Sequence, residues 1–184
     1  MNTNNVKVYA LHRMKDFLNT NGPWSQLVQL NNISLKEMQP DIPETIAFRL
    51  QVTPFIVPHR DEYSETAGFS IKYGTKQVLF IPDIDKWEKF NRNIDSLVQS
   101  SSIAFLDGTF YKDGELEGRS MKDIPHPFVS ECLKKFSNLS PAEKKRIYFI
   151  HFNHTNPLLN EISPEHAGLL KNYNVAVQSA IIRL

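Results

Sequence analysis

Four side chains that could bind a metal each follow a stretch whose composition predicts a β-strand. They are His59, Asp83, Asp107 and His151, which come after the apolar segments 45–57, 77–81, 103–106 and 147–150. In open α/β sheets, binding sites form in the crevice beyond the carboxyl ends of the strands, so these side chains can meet although they are distant in sequence. Two imidazoles and two carboxylates make a mixed nitrogen and oxygen donor set, which suits Zn, Fe or Mn.

Each member of this set also has an ordinary structural interpretation. A single histidine after a strand, such as His59, is usually a surface group or a partner of another side chain. Asp83 stands just before a predicted helix, where an aspartate often caps the N-terminus. Asp107 precedes Gly108, and Asp-Gly is a common turn pair. The recurrence of the pattern at four strand ends is what favours a shared metal site.

Two further histidines lie in segments that could line the same crevice. His154 follows His151 by three residues, so both rings could face one pocket, or His154 could bond to its own loop. We expect His151 to bind the metal, because it is the first residue beyond its strand, and His154 to support it or face the substrate. His126 stands between two prolines, which hold its backbone near extended geometry. It is either a pocket residue or part of a rigid turn.

The spacing of apolar residues predicts one folded unit over residues 1–184, with no internal domain boundary. Strands are predicted at 6–12, 24–30, 45–57, 67–73, 77–81, 103–106, 147–150 and 175–180. Helices are predicted at 84–98 and 128–139, and after Ser140 and Ser163. Because strands and helices alternate from residue 77 onward, we expect a layered α/β fold with a mixed sheet.

The composition excludes several classes of protein. The chain has 21 Lys and Arg against 20 Asp and Glu, so its charge gives no reason to expect nucleic acid or an anionic membrane as a partner. A single cysteine, Cys132, excludes an intramolecular disulfide and a cysteine-based zinc cluster. There is no long apolar run and no signal-peptide pattern, so we expect a cytoplasmic protein. Phosphate-loop, dinucleotide-binding and serine-hydrolase signatures are absent, which leaves a small-molecule substrate at a metal as the expectation.

Several of these segments, taken together and in order, resemble the coenzyme PQQ synthesis protein B family, a branch of the metallo-β-lactamase superfamily. The segments are HRDEYSETAGF at 59–69, IPDID at 81–85, DGTF at 107–110 and HFNHTNP at 151–157, with NGPWSQL at 21–27 and PHP at 125–127. Each segment alone is a weak signal, whereas their joint occurrence is specific. The resemblance covers nearly the whole chain.

The resemblance implies a metallo-β-lactamase-like αββα fold and a role for each candidate residue. By position, His59, Asp83 and His151 resemble metal ligands of the superfamily, and Asp107, His126 and His154 resemble residues that line the same pocket. The superfamily's first-half metal motif is not found in this chain. We therefore expect the C-terminal portion of such a protein, with the N-terminal half of the fold incomplete. A sheet left with an unpaired face or edge would invite a homo-oligomer.

The resemblance also implies a function. For the synthesis-protein branch it implies iron-dependent oxygenation of a tyrosine-derived precursor in quinone-cofactor biosynthesis. For the wider superfamily it implies hydrolysis of an ester, amide or phosphodiester by a metal-activated water. A third possibility is a non-catalytic metal- or ligand-binding fragment. The expected cofactor is one divalent metal, Fe or Zn, and we expect weak or no activity from this chain alone.

Overall fold

The computed structural model describes residues 3–118, 120–121 and 124–184. Its N-terminal part is a small parallel sheet of two strands, β1 (Val6–Ala10) and β2 (Ile33–Glu37). Two helices, α1 (His12–Thr20) and α2 (Trp24–Gln29), connect these strands. The prediction of a strand near the start of the chain is confirmed by β1.

A mixed sheet of seven strands forms the main part of the molecule. In spatial order the strands are β3 (Glu44–Ala47), β4 (Leu50–Ile56), β5 (Ala67–Tyr73), β6 (Lys76–Ile81), β7 (Ile103–Asp107), β8 (Ile147–Ile150) and β9 (Asn174–Val175). Pairing is antiparallel from β3 to β6 and parallel from β6 to β9. Strands β4, β6, β7 and β8 therefore run in one direction, and their carboxyl ends share one edge of the sheet.

Short helices cover one face of this sheet. They are α3 (Ile94–Gln99), α4 (Val129–Lys135), α5 (Pro141–Lys144) and α6 (Pro164–Leu169), with 3₁₀ turns at Trp87–Lys89, Phe136–Asn138 and Pro157–Leu159. Side chains cap the helix starts as the sequence predicts: Ser140 and Glu143 form a capping box, and Ser163 accepts a hydrogen bond from the first turn of α6. Fully buried side chains of the central strands meet the helices in one core, among them Leu79, Leu106, Phe149, Val98, Val129 and Phe136.

The opposite face of the sheet carries half-buried apolar side chains. Phe80, Phe105 and Tyr148 form a row across β6, β7 and β8, with ring centroids 6.4 Å and 5.6 Å apart. The sequence alternation that places Leu106 and Phe149 in the core places these rings on the other side. The layered α/β class with a mixed sheet is confirmed.

The structure corrects three predicted elements in the strand-rich parts of the chain. Segment 24–30, predicted as a strand, is helix α2. Segment 45–57 is not one strand but the hairpin of β3 and β4, which turns at Arg49 with a left-handed φ of 59°. The last strand ends at Val175 instead of continuing to residue 180. By contrast, the predicted hairpin of β5 and β6 is confirmed, with Gly74 at a left-handed φ of 60° in its turn.

One smaller expectation also changes. The helix predicted over 84–98 is a 3₁₀ turn followed by the separate helix α3, which begins after Asn93 caps it. His166, which has no role in the predicted site, is buried, and its Nδ1 lies 2.6 Å from the backbone oxygen of Leu158. It therefore joins α6 to the turn that precedes it.

Candidate metal centre

The shared edge of the sheet brings four potential metal ligands together. Asp107 is the last residue of β7, Asp83 lies two residues beyond β6, and His151 directly follows β8. The fourth, His126, comes from the loop before α4. One ligand atom from each of these residues lies within 4.8 Å of the corresponding atoms of the other three. This group is called the donor cluster below.

Asp107 is the buried centre of the cluster. Its Oδ2 accepts hydrogen bonds from the backbone N–H of Ile84 at 3.1 Å and from Nδ1 of His126 at 2.8 Å. Its Oδ1 accepts from the backbone N–H and the hydroxyl of Thr109, at 2.8 and 2.6 Å. Burial alone would raise the pKa of Asp107, but its interactions with His126, His151 and Thr109 outweigh that and lower the pKa to about 2. The carboxylate is therefore held ionised in a fixed orientation.

His151 leaves β8 through a left-handed backbone turn, with φ at 63°. This conformation is uncommon for a residue other than glycine, and it directs the ring away from the line of the strand. Nδ1 lies 3.0 Å from the hydroxyl oxygen of Thr109, and the ring centroid is 5.9 Å from that of His126. The nearby carboxylate of Asp107 raises the pKa of His151. Nearly half of the side chain, 46%, remains exposed, so the ring is accessible to a ligand.

Thr109 is a site residue that the sequence reasoning missed. Because a carboxylate can only accept, the Thr109 hydroxyl donates its proton to Asp107, and its oxygen is free to accept from Nδ1 of His151. The same oxygen lies 3.3 Å from Nδ1 of His126. The signal was present in the sequence, since Thr109 follows Asp107 by two residues across Gly108. A Cβ at Gly108 would lie 2.9 Å from the Phe152 ring, which explains why glycine stands in this tight turn.

Asp83 has a buried oxygen that lacks a hydrogen-bond donor among the described residues. This atom, Oδ1, lies 3.1 Å from Nε2 of His59 and 3.4 Å from Nδ1 of His126, but neither contact has hydrogen-bond geometry. A buried carboxylate oxygen without a donor is unfavourable unless a cation meets it. The orphaned oxygen and the mixed imidazole and carboxylate donors therefore fit a divalent metal ion.

His59 lies beside the donor cluster rather than among its four members. Its two ring nitrogens each lie 3.1 Å from a carboxylate oxygen, Nε2 from Asp83 and Nδ1 from Asp85, and its ring centroid is 5.2 Å from that of His126. Asp85 in turn is paired with Lys89 at 2.7 Å. His59 is thus placed to orient Asp83, and its assignment as a metal ligand stays a prediction.

His154 is placed away from the cluster. It lies in an exposed turn three residues beyond His151 and is not one of the four clustered donors. Asn153 and Asn156 instead hold this loop against the turn after β7: the backbone N–H of Asn153 donates to the Thr109 carbonyl, and the Asn156 side-chain amide donates to the Gly108 carbonyl. The role of His154 toward a substrate stays a prediction.

A cavity of about 250 Å³ adjoins the cluster. His59 and His126 form the wall nearest the donors, and Arg60, Phe110 and Ile124 are among the residues on the other sides. The Phe110 ring stands edge-on to the imidazole of His126, with centroids 6.2 Å apart. The site therefore combines a charged, buried donor set with a small and partly apolar space next to it.

Comparison with known proteins identifies the class. The family described as Beta-lactamase superfamily domain matches residues 1–152, and the chain belongs to this superfamily. No helix in the described part of the chain has the length and hydropathy needed to cross a bilayer. The superfamily resemblance read from the sequence is confirmed.

Within the superfamily, two curated relatives carry the same name. Coenzyme PQQ synthesis protein B of Gluconobacter oxydans (strain 621H) is 32% identical over 126 residues, covering 65% of this chain and 40% of that protein. The protein of the same name from Xanthomonas axonopodis pv. citri (strain 306) is 28% identical over 180 residues, covering 88% of this chain and 58% of that protein. The predicted relationship to the coenzyme PQQ synthesis protein B family is confirmed, and the chain spans about half the length of these curated relatives.

A solved structure shows the same fold. The crystal structure of Zn(2+)-bound PqqB from Methylobacterium extorquens superposes with a TM-score of 0.75 at 20% identity, covering 98% of this chain and 63% of that one. The predicted metallo-β-lactamase-like fold is confirmed. At 20% identity this similarity shows the fold alone. The evidence for a metal site in this chain is its own group of four donors.

Proposed function

We propose that the chain carries a mononuclear divalent-metal centre held by Asp107, His126 and His151, with Asp83 as a fourth donor. The observation that carries the proposal is the convergence of four ligand atoms within 4.8 Å of one another, together with a buried oxygen of Asp83 that has no hydrogen-bond donor among the described residues. The name of the curated relatives, coenzyme PQQ synthesis protein B, supports the proposal that this centre acts in the synthesis of coenzyme PQQ.

Each residue of the site has a distinct part in this proposal. Asp107 supplies a negative charge that stays ionised, because its pKa is about 2. Thr109 fixes the orientation of Asp107 and His151 at once. Oδ1 of Asp83, which has no hydrogen-bond donor among the described residues, would meet the cation as the fourth donor. When bound, iron would supply oxygen activation, and zinc would supply Lewis-acid activation of a carbonyl, a phosphoryl group or water.

The finer proposal is iron-dependent oxygenation of a tyrosine-derived precursor. Two histidines and one carboxylate are the donor set of non-haem Fe(II) oxygenases, and His126, His151 and Asp107 offer these types. Hydrolysis is the second candidate, because the same imidazole and carboxylate donors would also hold a zinc ion that activates a water molecule. In either case a small molecule is the proposed substrate, and the activity of the whole protein is proposed from a chain that spans about half of its relatives.

Metal stoichiometry tests the proposal first. The chain is stripped with a chelator, loaded separately with Fe(II) under anaerobic conditions and with Zn(II), dialysed, and analysed for metal. We expect one metal per chain, lost in His126→Ala and kept in His12→Ala, a matched substitution of an exposed histidine on α1. Two metals per chain, or metal kept by both His126→Ala and His151→Ala, would contradict the proposed centre.

Activity assays then separate the two chemistries. Oxygen consumption by the iron form, dependent on a phenolic amino-acid or peptide substrate, supports oxygenation. Cleavage of 4-nitrophenyl acetate or bis(4-nitrophenyl) phosphate by the zinc form supports hydrolysis. A loaded chain that is inactive in both assays would support the third possibility, a metal-binding fragment without catalysis.

A further inference from the structure

We propose that Arg60 binds an oxyanion, a carboxylate or a phosphate, of a small ligand whose apolar part fills the cavity beside the donor cluster. The inference deepens the proposed function, because it takes this cavity as the substrate's place and names the chemistry of the substrate. It rests on the volume of the cavity, on its apolar lining residues and on the charge of Arg60, which has no ion-pair partner among the described residues.

The cavity is small and directly joined to the proposed centre. Its volume of about 250 Å³ lies just below the usual range for ligand pockets and corresponds to roughly eight water molecules of about 30 Å³ each. His126 belongs to both the donor cluster and the cavity wall. A ligand of about ten non-hydrogen atoms that fills this space would therefore reach the edge of the metal site.

The far wall of the cavity is apolar. Phe110 and Ile124 line it, together with Leu116 and Pro125. Phe110 and Ile124 also belong to a small apolar cluster with Met121 and Phe128, separate from the main core under the sheet. The cavity wall is therefore supported from behind by its own packing. Such a surface favours an aromatic or aliphatic body in the ligand.

Arg60 supplies a cation without a partner. Among the residues that the structure describes, no carboxylate lies within ion-pair distance of its guanidinium, although acidic residues follow it closely in sequence. Two of these are occupied elsewhere: Asp61 pairs with Arg13 at 3.2 Å, and Glu65 accepts from the backbone N–H groups of Arg13 and Met14 at the start of α1.

The same contacts hold the backbone next to Arg60 in place. Glu65 and Asp61 tie the segment after β4 to helix α1, and the Thr66 hydroxyl donates to the Arg60 carbonyl. Arg60 is therefore a cation on an anchored segment, with no ion-pair partner in the described part of the chain. A planar guanidinium can form two parallel hydrogen bonds to a carboxylate or phosphate, which gives selectivity for an anionic group. The ordinary alternative is a solvated surface arginine with no ligand.

Calorimetric titration with small probes distinguishes the two interpretations. The probes are 3-phenylpropionate and phenyl phosphate as anions and 3-phenylpropanamide as the neutral analogue, each titrated into the zinc-loaded and the metal-free chain. We expect the wild type to bind at least one anion about tenfold more tightly than the amide. Arg60→Gln should remove this preference while leaving amide binding unchanged, and Arg60→Lys should keep part of it.

Arg49→Gln provides the matched control, since it removes a cation at the opposite end of β4 and should leave the preference intact. Thermal unfolding of each variant verifies that the fold is retained. The proposal is overturned if the wild type binds anions and amide equally, if Arg60→Gln keeps the preference, or if neither anion binds at about 10 mM.

The metal-free titrations separate this proposal from the metal centre. An Arg60-dependent preference in the metal-free chain, together with failure to retain metal, would refute the proposed centre and support the anion site. If the chain retains one metal and Arg60→Gln does not change the preference for the anions over the amide, only the anion site is refuted. If only phenyl phosphate, or only 3-phenylpropionate, binds more tightly than the amide, that result identifies the oxyanion that the cavity accepts.

Discussion

The charge of Asp107 should make a large and pH-dependent contribution to the stability of the metal-free protein. The pKa of this carboxyl falls from an ordinary value of 3.8 to about 2 in the folded chain. A difference of nearly two pKa units corresponds to about 2 kcal/mol of folding free energy at pH 7. Because the folded-state pKa is the lower one, this stabilisation is fully present above pH 4. It declines as the pH falls through the interval toward 2, with about half of it gone near pH 3.

Asp107→Asn removes the charge at nearly constant volume, and urea unfolding in the presence of a chelator measures the result. Other carboxyl groups titrate in both proteins, so they cancel when the two are compared at each pH. We expect the part of the stability difference that depends on pH to shrink by about 1 kcal/mol between pH 5 and pH 3, an interval below the raised pKa of His151 in which that ring stays protonated. Asp113→Asn, an exposed aspartate in a loop, is the control and should show no such trend. A stability difference between wild type and Asp107→Asn that is constant with pH would refute the reasoning.

Three further predictions concern single side chains. His151→Ala should lose bound metal on dialysis while His154→Ala keeps it, because only His151 belongs to the donor cluster; the reverse pattern in metal analysis would move the ligand to the loop. Thr109→Val should lower metal affinity by about 10- to 100-fold without abolishing binding, as expected for a group that orients ligands, and a competition titration with a chromophoric chelator measures this. Cys132 should resist iodoacetamide until the chain unfolds, because burial raises the pKa of its thiol to about 12; rapid labelling of the native chain, followed by mass spectrometry, would contradict this.

The central strands could be predicted because full burial on one face and partial burial on the other leave a clear trace in sequence. Strands β6, β7 and β8 are short apolar runs, and a potential metal ligand stands at the end of each run or within two residues of it. Once their common direction is assumed, Asp83, Asp107 and His151 must meet at one edge. The sequence reasoning placed these three near each other for this reason, and the structure brings them together.

The peripheral elements could not be read in the same way. Segment 24–30 has apolar residues at Trp24, Leu27 and Val28, a spacing that a helix and a short strand can both accommodate. Trp24 and Leu27 remain 43% and 41% exposed in α2, so burial had imposed no strong pattern on them. The hairpin of β3 and β4 turns at Arg49, although Gly, Asn or Asp normally marks such a left-handed position. The residue at this position, Arg49, is therefore not of a type that predicts a left-handed turn.

The details of the site depended on side-chain positions that no local pattern encodes. Sequence reasoning assigned His59 to the metal and His126 to the pocket lining, whereas the loop before α4 brings the imidazole of His126 into the cluster. Thr109 was overlooked because a hydroxyl is rarely a ligand, and its importance appears only when Asp107 and His151 are seen on either side of it.

The donor cluster also explains how protons and a metal would compete for one site. Two carboxylates, Asp83 and Asp107, face two imidazoles within 4.8 Å, and the burial of Asp107 makes its charge costly unless a positive partner is near. In the metal-free chain a protonated imidazole would supply that charge, and the Asp107 carboxylate raises the pKa of His151 accordingly. A divalent cation would supply the same charge while also meeting the orphaned oxygen of Asp83, and it requires the imidazole to give up its proton. The arrangement that stabilises a protonated His151 is therefore the one that a metal would replace.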